Sequence, residues 1–201
     1  MRRLATLPPK TAKPVCSRAT FFPICACCAT LGAATISSAG FRFDGIDEPA
    51  LAALAGALAR RVRSGGVVYL VGTLGAGKTT FARALLRALG VGARVKSPTY
   101  TLIESYVAGD LTAHHLDLYR IAAAEEIEWL GLRDLATGAQ LWLIEWPERA
   151  HGVIPAPDLT VELAHAASGR DVKLIAATSV GGSWLDNLDV MSAQQEVRGG
   201  S

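Results

Sequence analysis

The sequence predicts an α/β fold, one layered domain with a mixed sheet flanked by helices. Three observations carry that prediction. The apolar, β-branched run Gly66–Val71 leads through a glycine-rich loop straight into a helical segment, which is the strand–loop–helix order of an α/β unit. The runs 99–107 and 113–118 flank the turn Gly109-Asp110, and 159–164 and 172–177 flank Ser168-Gly169, so each pair reads as an antiparallel hairpin. Leu141-Trp142-Leu143-Ile144 is a short, wholly apolar run, as a strand buried on both faces requires.

The 201 residues divide into an N-terminal extension (1–40), a folded domain (41–179) and a disordered tail (180–201). Asp47-Glu48-Pro49 opens a helix that runs to about Arg63. Acids stand in its first turn and Arg60, Arg61 and Arg63 in its last, complementing the helix dipole. After the loop, 80–89 is helical and stops at Gly90. A short helix is expected over 124–130. From Val180 the chain turns to Gly, Ser, Gln and charge, the composition of an unpacked tail.

The loop itself is Gly72-Thr73-Leu74-Gly75-Ala76-Gly77-Lys78-Thr79, a match to G-x-x-x-x-G-K-[ST]. Glycines let the backbone wrap closely, so successive N–H groups aim at phosphate oxygens. Lys78 supplies a charge for the β- and γ-phosphates, Thr79 a hydroxyl for Mg²⁺, and the helix that follows its dipole. A phosphate loop of this kind predicts a P-loop NTPase-like domain that binds ATP with Mg²⁺.

Such a loop needs an acid on a neighbouring strand. Glu145 is the candidate, because it ends the run 141–144 and so emerges where ligands collect in open α/β sheets. Trp146 follows it and either stacks on a ligand or caps the core. In Ala113-His114-His115-Leu116-Asp117-Leu118-Tyr119-Arg120, alternation puts His115, Asp117 and Tyr119 on one face and His114, Leu116 and Leu118 on the other. Asp117 is then either the group that orders a nucleophilic water or half of a surface pair with Arg120. Ser97-Pro98-Thr99-Tyr100-Thr101 lies where loops often answer to a γ-phosphate, and reads equally as a turn into a strand.

Composition limits the partners. Residues 1–40 carry five Lys or Arg and no acid, leaving 15 basic and 18 acidic residues in the rest. The body is mildly acidic and offers no electrostatic footprint for nucleic acid. Cys16, Cys25, Cys27 and Cys28 are the only cysteines, so the domain holds neither a disulfide nor a thiolate metal site, and no second ligand cluster accompanies them. Residues 19–40 are uncharged and largely apolar behind a basic start. Signal peptide, weak anchor, transit peptide and disordered arm are the open readings, with a mis-called start upstream of Val15 or Leu31 as another. Pro23, the long basic stretch and the lack of a clean cleavage site speak against the signal peptide. No membrane association is expected, and the expected location is cytoplasmic.

Five stretches together resemble the TsaE (YjeE) family of small bacterial P-loop ATPases. They are Gly75-Ala-Gly-Lys-Thr-Thr80, Val95-Lys-Ser-Pro-Thr-Tyr-Thr-Leu102, Leu116-Asp-Leu-Tyr-Arg120, Glu125-Glu126 ahead of Leu130-Gly131, and Leu143-Ile-Glu-Trp-Pro147. The resemblance implies a role in forming N6-threonylcarbamoyladenosine at position 37 of tRNAs that read ANN codons. It implies ATP hydrolysis that assists a TsaB–TsaD-type complex, with tRNA engaged only indirectly. By the same resemblance Thr79 and Glu145 match Mg²⁺ ligands, and Gly72, Gly75, Ala76, Gly77, Lys78, Thr79 and Thr80 the phosphate contacts. Asp117 matches an acid important for activity alongside Lys78 and Glu145, and Trp146 its companion aromatic. Glu48 and Gly169 match positions near base and ribose. Thr73 departs from the acid usual in the family. A P-loop small-molecule kinase, with Arg149 or Arg170 in a lid, and a nucleotide-gated binding module with negligible turnover are the alternatives; no N-K-x-D guanine motif supports a GTPase.

Overall fold

The computed structural model describes residues 35–37, 40–92, 95–98, 101–122, 126–127, 139–186 and 188. Eight strands form one sheet: β1 (Thr35–Ser37), β2 (Gly40–Ile46), β3 (Gly66–Val71), β4 (Ile103–Ala108), β5 (Leu111–Asp117), β6 (Ala139–Glu145), β7 (Leu159–His165) and β8 (Arg170–Ala176). Their spatial order is β1-β2-β8-β7-β3-β6-β5-β4. The centre, β7-β3-β6-β5, is parallel, and the pairs outside it are antiparallel. The sheet is therefore mixed, and both expected hairpins are present. Ala108 pairs with Leu111 across Gly109-Asp110, and His165 with Arg170.

The helices are α1 (Glu48–Ala59), α2 (Lys78–Ala88) and α3 (Ser179–Asp186). Asp47 caps α1, its carboxylate accepting from the Ala50 N–H at 2.9 Å. Helix α1 stops at Ala59, four residues short of the expected end. Arg60 and Arg61 then lie in a turn, and Val62–Ser64 form a 3-10 turn. Helix α2 ends at Ala88 and is closed by Gly90, where the Val91 N–H reaches the Leu86 carbonyl and the Gly90 N–H that of Arg87, the two bonds of a Schellman cap.

Alternate residues of the central strands face opposite layers. Val68, Leu70, Ala113, Leu141, Leu143 and Val161 pack with Leu51, Leu54, Leu58, Phe81, Leu85 and Leu86 of α1 and α2. Val67, Leu116, Trp142 and Ile144 pack with Leu118, Ile121 and Ala150 on the other side. The two layers hold the carboxyl ends of β3, β5 and β6 side by side.

Two expected boundaries need correction. The tail placed from Val180 begins instead as α3, with Trp184, Leu185 and Leu188 buried. Its glycines permit a close approach: a Cβ on Gly181 would overlap the Asp158 carbonyl, so tertiary packing wins over poor helix propensity. At the other end β1 adds a strand ahead of position 41, and β2 itself starts at Gly40. The short helix expected over 124–130 lies outside the described residues apart from Glu126 and Ile127, which form a 3-10 turn. Thr99 and Tyr100 of the Ser97–Thr101 loop also lie outside the described residues.

Candidate functional site

β3 ends at Val71, and the next turn of chain runs into α2 through the glycine-rich loop. Gly77 caps that helix with φ 105°, a left-handed conformation that only glycine adopts without strain. Lys78, the first residue of α2, is almost fully buried. Its Nζ donates to the carbonyls of Gly72 at 2.7 Å and Thr73 at 2.9 Å, so the lysine ties the loop across its own mouth. Burial lowers the Lys78 pKa from the ordinary lysine value, while the carboxylates of Glu145, Asp117 and Glu148 pull it back up.

Parallel pairing sets Asp117 beside Glu145 at the ends of β5 and β6, and His115 beside Leu143. Glu145 is buried and fully engaged. Its Oε2 accepts from the Thr79 hydroxyl at 2.9 Å. Its Oε1 lies 2.8 Å from His115 Nε2. In the tautomer with its proton on Nε2, His115 donates to this carboxylate, which accepts. His115 is itself wholly enclosed, and its Nδ1 finds no partner among the described residues. Asp117 is buried as well, with Oδ1 accepting from the Tyr119 N–H at 3.1 Å; it is no surface residue. The Asp117 N–H is in turn held by the carbonyl of Leu102 at 3.1 Å. The buried charged and imidazole side chains among the described residues are Lys78, His114, His115, Asp117 and Glu145. All but His114 belong to this cluster.

Among the described residues two non-glycines have positive φ, Leu102 at 63° and Trp146 at 57°. Both touch the site. Leu102 carries the carbonyl that fixes Asp117, and Trp146 swings its ring over Lys78, 3.9 Å from Nζ to the ring centre. Strained backbone held at such places is a mark of functional sites. Trp146 also packs on the second hydrophobic layer and 5.0 Å from the Tyr119 ring, as the core-capping reading of this residue expects.

These groups surround a cavity of about 290 Å³. Leu74, Gly75, Gly77, Lys78, Thr79 and Thr80 form one wall, and Asp117, Tyr119, Arg120, Glu145, Trp146 and Arg170 the rest. Of the sequence candidates, Gly72 and Ala76 shape the loop from behind without lining the cavity. Glu48 is exposed at the start of α1, and Gly169 packs against the backbone of Gly45 and Ile46; neither lines the cavity. Thr73 is exposed and contributes only its carbonyl. Sequence reasoning gave no role to the His115–Glu145 bond, nor to His165, whose Nε2 lies 3.3 Å from the Leu74 carbonyl. Arg170, a lid candidate only under the kinase alternative, stands in the cavity wall.

The donors fit a magnesium ion. Oxygens adjacent in an octahedral shell at 2.0–2.1 Å from Mg²⁺ lie about 2.9 Å apart, which is the Thr79–Glu145 separation. No group of three or more His, Cys, Asp or Glu able to hold a metal ion is found among the described residues, as suits an ion that keeps waters and phosphate oxygens as its other ligands. No helix among the described residues is long and apolar enough to cross a membrane.

Comparison with known proteins agrees with this geometry. Over 115 residues the chain is 44% identical to the tRNA threonylcarbamoyladenosine biosynthesis protein TsaE of Haemophilus influenzae, covering 57% of this chain and 73% of that one. Over 135 residues it is 37% identical to the Bacillus subtilis protein of the same name, covering 67% and 81%. The crystal structure of Bacillus subtilis YdiB superposes with a TM-score of 0.63 at 26% identity, covering 77% of this chain and 97% of that one. Residues 46–172 match the family described as Threonylcarbamoyl adenosine biosynthesis protein TsaE. That span runs from the last residue of β2 into β8 and encloses the whole cavity wall, and the chain belongs to the TsaE family.

Proposed function

We propose that this chain binds ATP with Mg²⁺ and hydrolyses it in the service of threonylcarbamoyladenosine formation on tRNA. The observation that carries the proposal is Glu145, buried between Thr79 and His115 at the foot of the phosphate loop. A carboxylate fixed at both oxygens has one geometry to offer, and electrostatic catalysis depends on such preorganisation. Thr79 and Glu145 would hold the metal, which supplies charge neutralisation at the β- and γ-phosphates. Lys78 would leave the Gly72 and Thr73 carbonyls for phosphate oxygens. Asp117 would accept a hydrogen bond from the attacking water. That water's oxygen bonds to the γ-phosphorus as the bond to the β–γ bridging oxygen breaks, giving ADP and phosphate. Trp146 and Tyr119 would shield this step from bulk water.

The mildly acidic body favours protein partners over direct tRNA contact. We therefore place the protein's action on a TsaB–TsaD-type complex, with nucleotide state setting the affinity, inside the cytoplasm. Two assays test the reading. With γ-labelled ATP, label should appear as inorganic phosphate; stoichiometric transfer to a metabolite would make the protein a kinase instead. Pull-downs of a TsaB–TsaD complex at matched salt, with ATP, ADP or no nucleotide, should differ. Indifference to nucleotide would remove the switch.

A further inference from the structure

Arg170 opens β8 and is anchored on both sides, paired with His165 of β7 and with Ile46 of β2. Its side chain leaves this rigid hairpin and crosses the phosphate loop at Gly77. A Cβ on Gly77 would stand 2.6 Å from Arg170 Nε, 2.9 Å from Cδ and 3.3 Å from Cζ. The φ of Gly77 favours glycine, and a Cβ there would also push the Arg170 side chain aside. Arg170 forms part of the cavity wall.

Its bonding is incomplete. Nε is buried and has no hydrogen-bond partner, and Arg170 takes part in no ion pair among the described residues. The neighbouring carboxylate, Asp171, is turned away to the Gly45 N–H at 2.9 Å and towards Arg42 at 3.8 Å. A buried N–H left unpaired is destabilising, and proteins retain such groups where a ligand completes them. A planar guanidinium is the side chain best matched to paired phosphate oxygens. The cavity is also polar along its length, with Asp117 and Glu145 at the β5–β6 side and Arg170 at the β7–β8 side.

We infer that Arg170 is a phosphate-binding residue that grips the diphosphate shared by ADP and ATP. The inference rests on the nucleotide reading above and deepens it. Gly77 belongs to the backbone cradle of the α- and β-phosphates, and Arg170 lies directly over it. The γ-phosphate belongs to the opposite side, with Lys78, Asp117 and Glu145. Arg170 therefore serves nucleotide affinity and phosphate placement in both the substrate and product states, and the β7–β8 hairpin becomes the second jaw of the phosphate site.

The test uses the full chain and calorimetric titration with MgATP and MgADP. Arg170→Met keeps the stem that packs over Gly77 and removes the charge; Arg170→Lys keeps the charge and removes the fork. Arg170→Met should weaken ATP and ADP alike, by roughly 10- to 100-fold, and Arg170→Lys should recover part of that loss. Without nucleotide the unfolding midpoint of Arg170→Met should stay level or rise, because an unpaired buried group has gone. The rise in midpoint on adding nucleotide should shrink. Unchanged ADP affinity, or a loss confined to ATP, would overturn the assignment. So would a lowered midpoint without nucleotide, which would make the residue structural. A parent protein that binds neither nucleotide would instead bring down the nucleotide reading itself.

Discussion

At its amino end β3 is gripped by Asp158 and Trp184; at its carboxyl end it feeds the loop that carries Lys78 and Thr79. The amino end is a closed joint. Asp158 accepts from the Val67 N–H at 2.9 Å and from the Thr178 hydroxyl at 2.6 Å, and its own N–H donates to the Val67 carbonyl. One residue thereby ties β3, β7 and the start of α3, and Trp184 fills the space against Gly66. Nearly every polar atom there is answered by another. The carboxyl end is the reverse, with a strained Trp146, an unpaired His115 Nδ1, an unpaired Arg170 Nε and a lysine bonded to its own loop. One strand separates stability from chemistry, and the satisfaction of its hydrogen bonds marks which end is which.

The largest expected effect falls on the closed joint. Trp184→Ala should cost about 3–5 kcal/mol of stability, the range for deleting a large buried aromatic, as read by urea unfolding. Below its shifted transition it should still bind ATP. If the variant stays folded but loses ATP, the two ends are coupled and the division fails.

Lys78→Ala should do the opposite. Removing the cation proposed to bond the phosphates should weaken MgATP binding by roughly 10- to 150-fold, given that a charged hydrogen bond contributes about 1.5–3 kcal/mol. Unchanged affinity in calorimetry would sink the phosphate-loop assignment.

Glu145→Ala sits between these extremes. It should end hydrolysis and weaken ATP binding chiefly when Mg²⁺ is present. Leaving His115 and Thr79 without their partner should also cost about 1–3 kcal/mol. Equal losses with Mg²⁺ and with a chelator would count against the ligand role.

Asp158→Ala should cost a similar or smaller amount, about 1–3 kcal/mol, through the orphaned Val67 N–H. ATP affinity should not move.

The smallest effect is one of pH, and it belongs to neither end. His114 lies mid-strand in β5, 4.5 Å from the Trp142 ring and 2.8 Å from Ser105 Oγ. Burial lowers its pKa from 6.5. The unfolded chain therefore binds more protons than the folded one below that value. Stability should be full above pH 6.5 and fall as the solution is acidified below it. His114→Gln should flatten that slope relative to the parent; an unaltered slope would assign it to other groups.

The two ends were also unequally legible in the sequence. The glycine loop, Lys78 and Thr79 are contiguous, so the motif exposes them. Glu145 and Asp117 could be found because a polar residue at the end of an apolar run is conspicuous. The His115–Glu145 bond was hidden, because it depends on the register of two parallel strands, and no turn connects them to set it. Arg170 was visible only as an arginine after a turn. Its meaning arises when β7–β8 folds beside the loop. The closed joint was least legible of all. Ser179–Asp186 contains two adjacent glycines and reads as a tail, and it becomes a helix because Gly181 and Trp184 find Asp158 and Gly66. Alternation marked the hairpins well, since one-sided burial leaves a pattern of period two.

The position of β3 in the sheet has a consequence for how the protein is made. Both of its neighbours, β6 and β7, come from the later half of the chain. During synthesis the phosphate loop leaves the ribosome early, on a strand with nothing to pair with. At bacterial elongation rates it waits on the order of ten seconds before His165 has been added and the second neighbour is complete. Until its neighbours are made, the largely apolar Gly66–Val71 is an open template for other chains. Nascent chains stalled before Ala139, with neither neighbour of β3 made, should accordingly bind chaperone most strongly, and release beyond Asp186 should coincide with the first capacity to hold nucleotide.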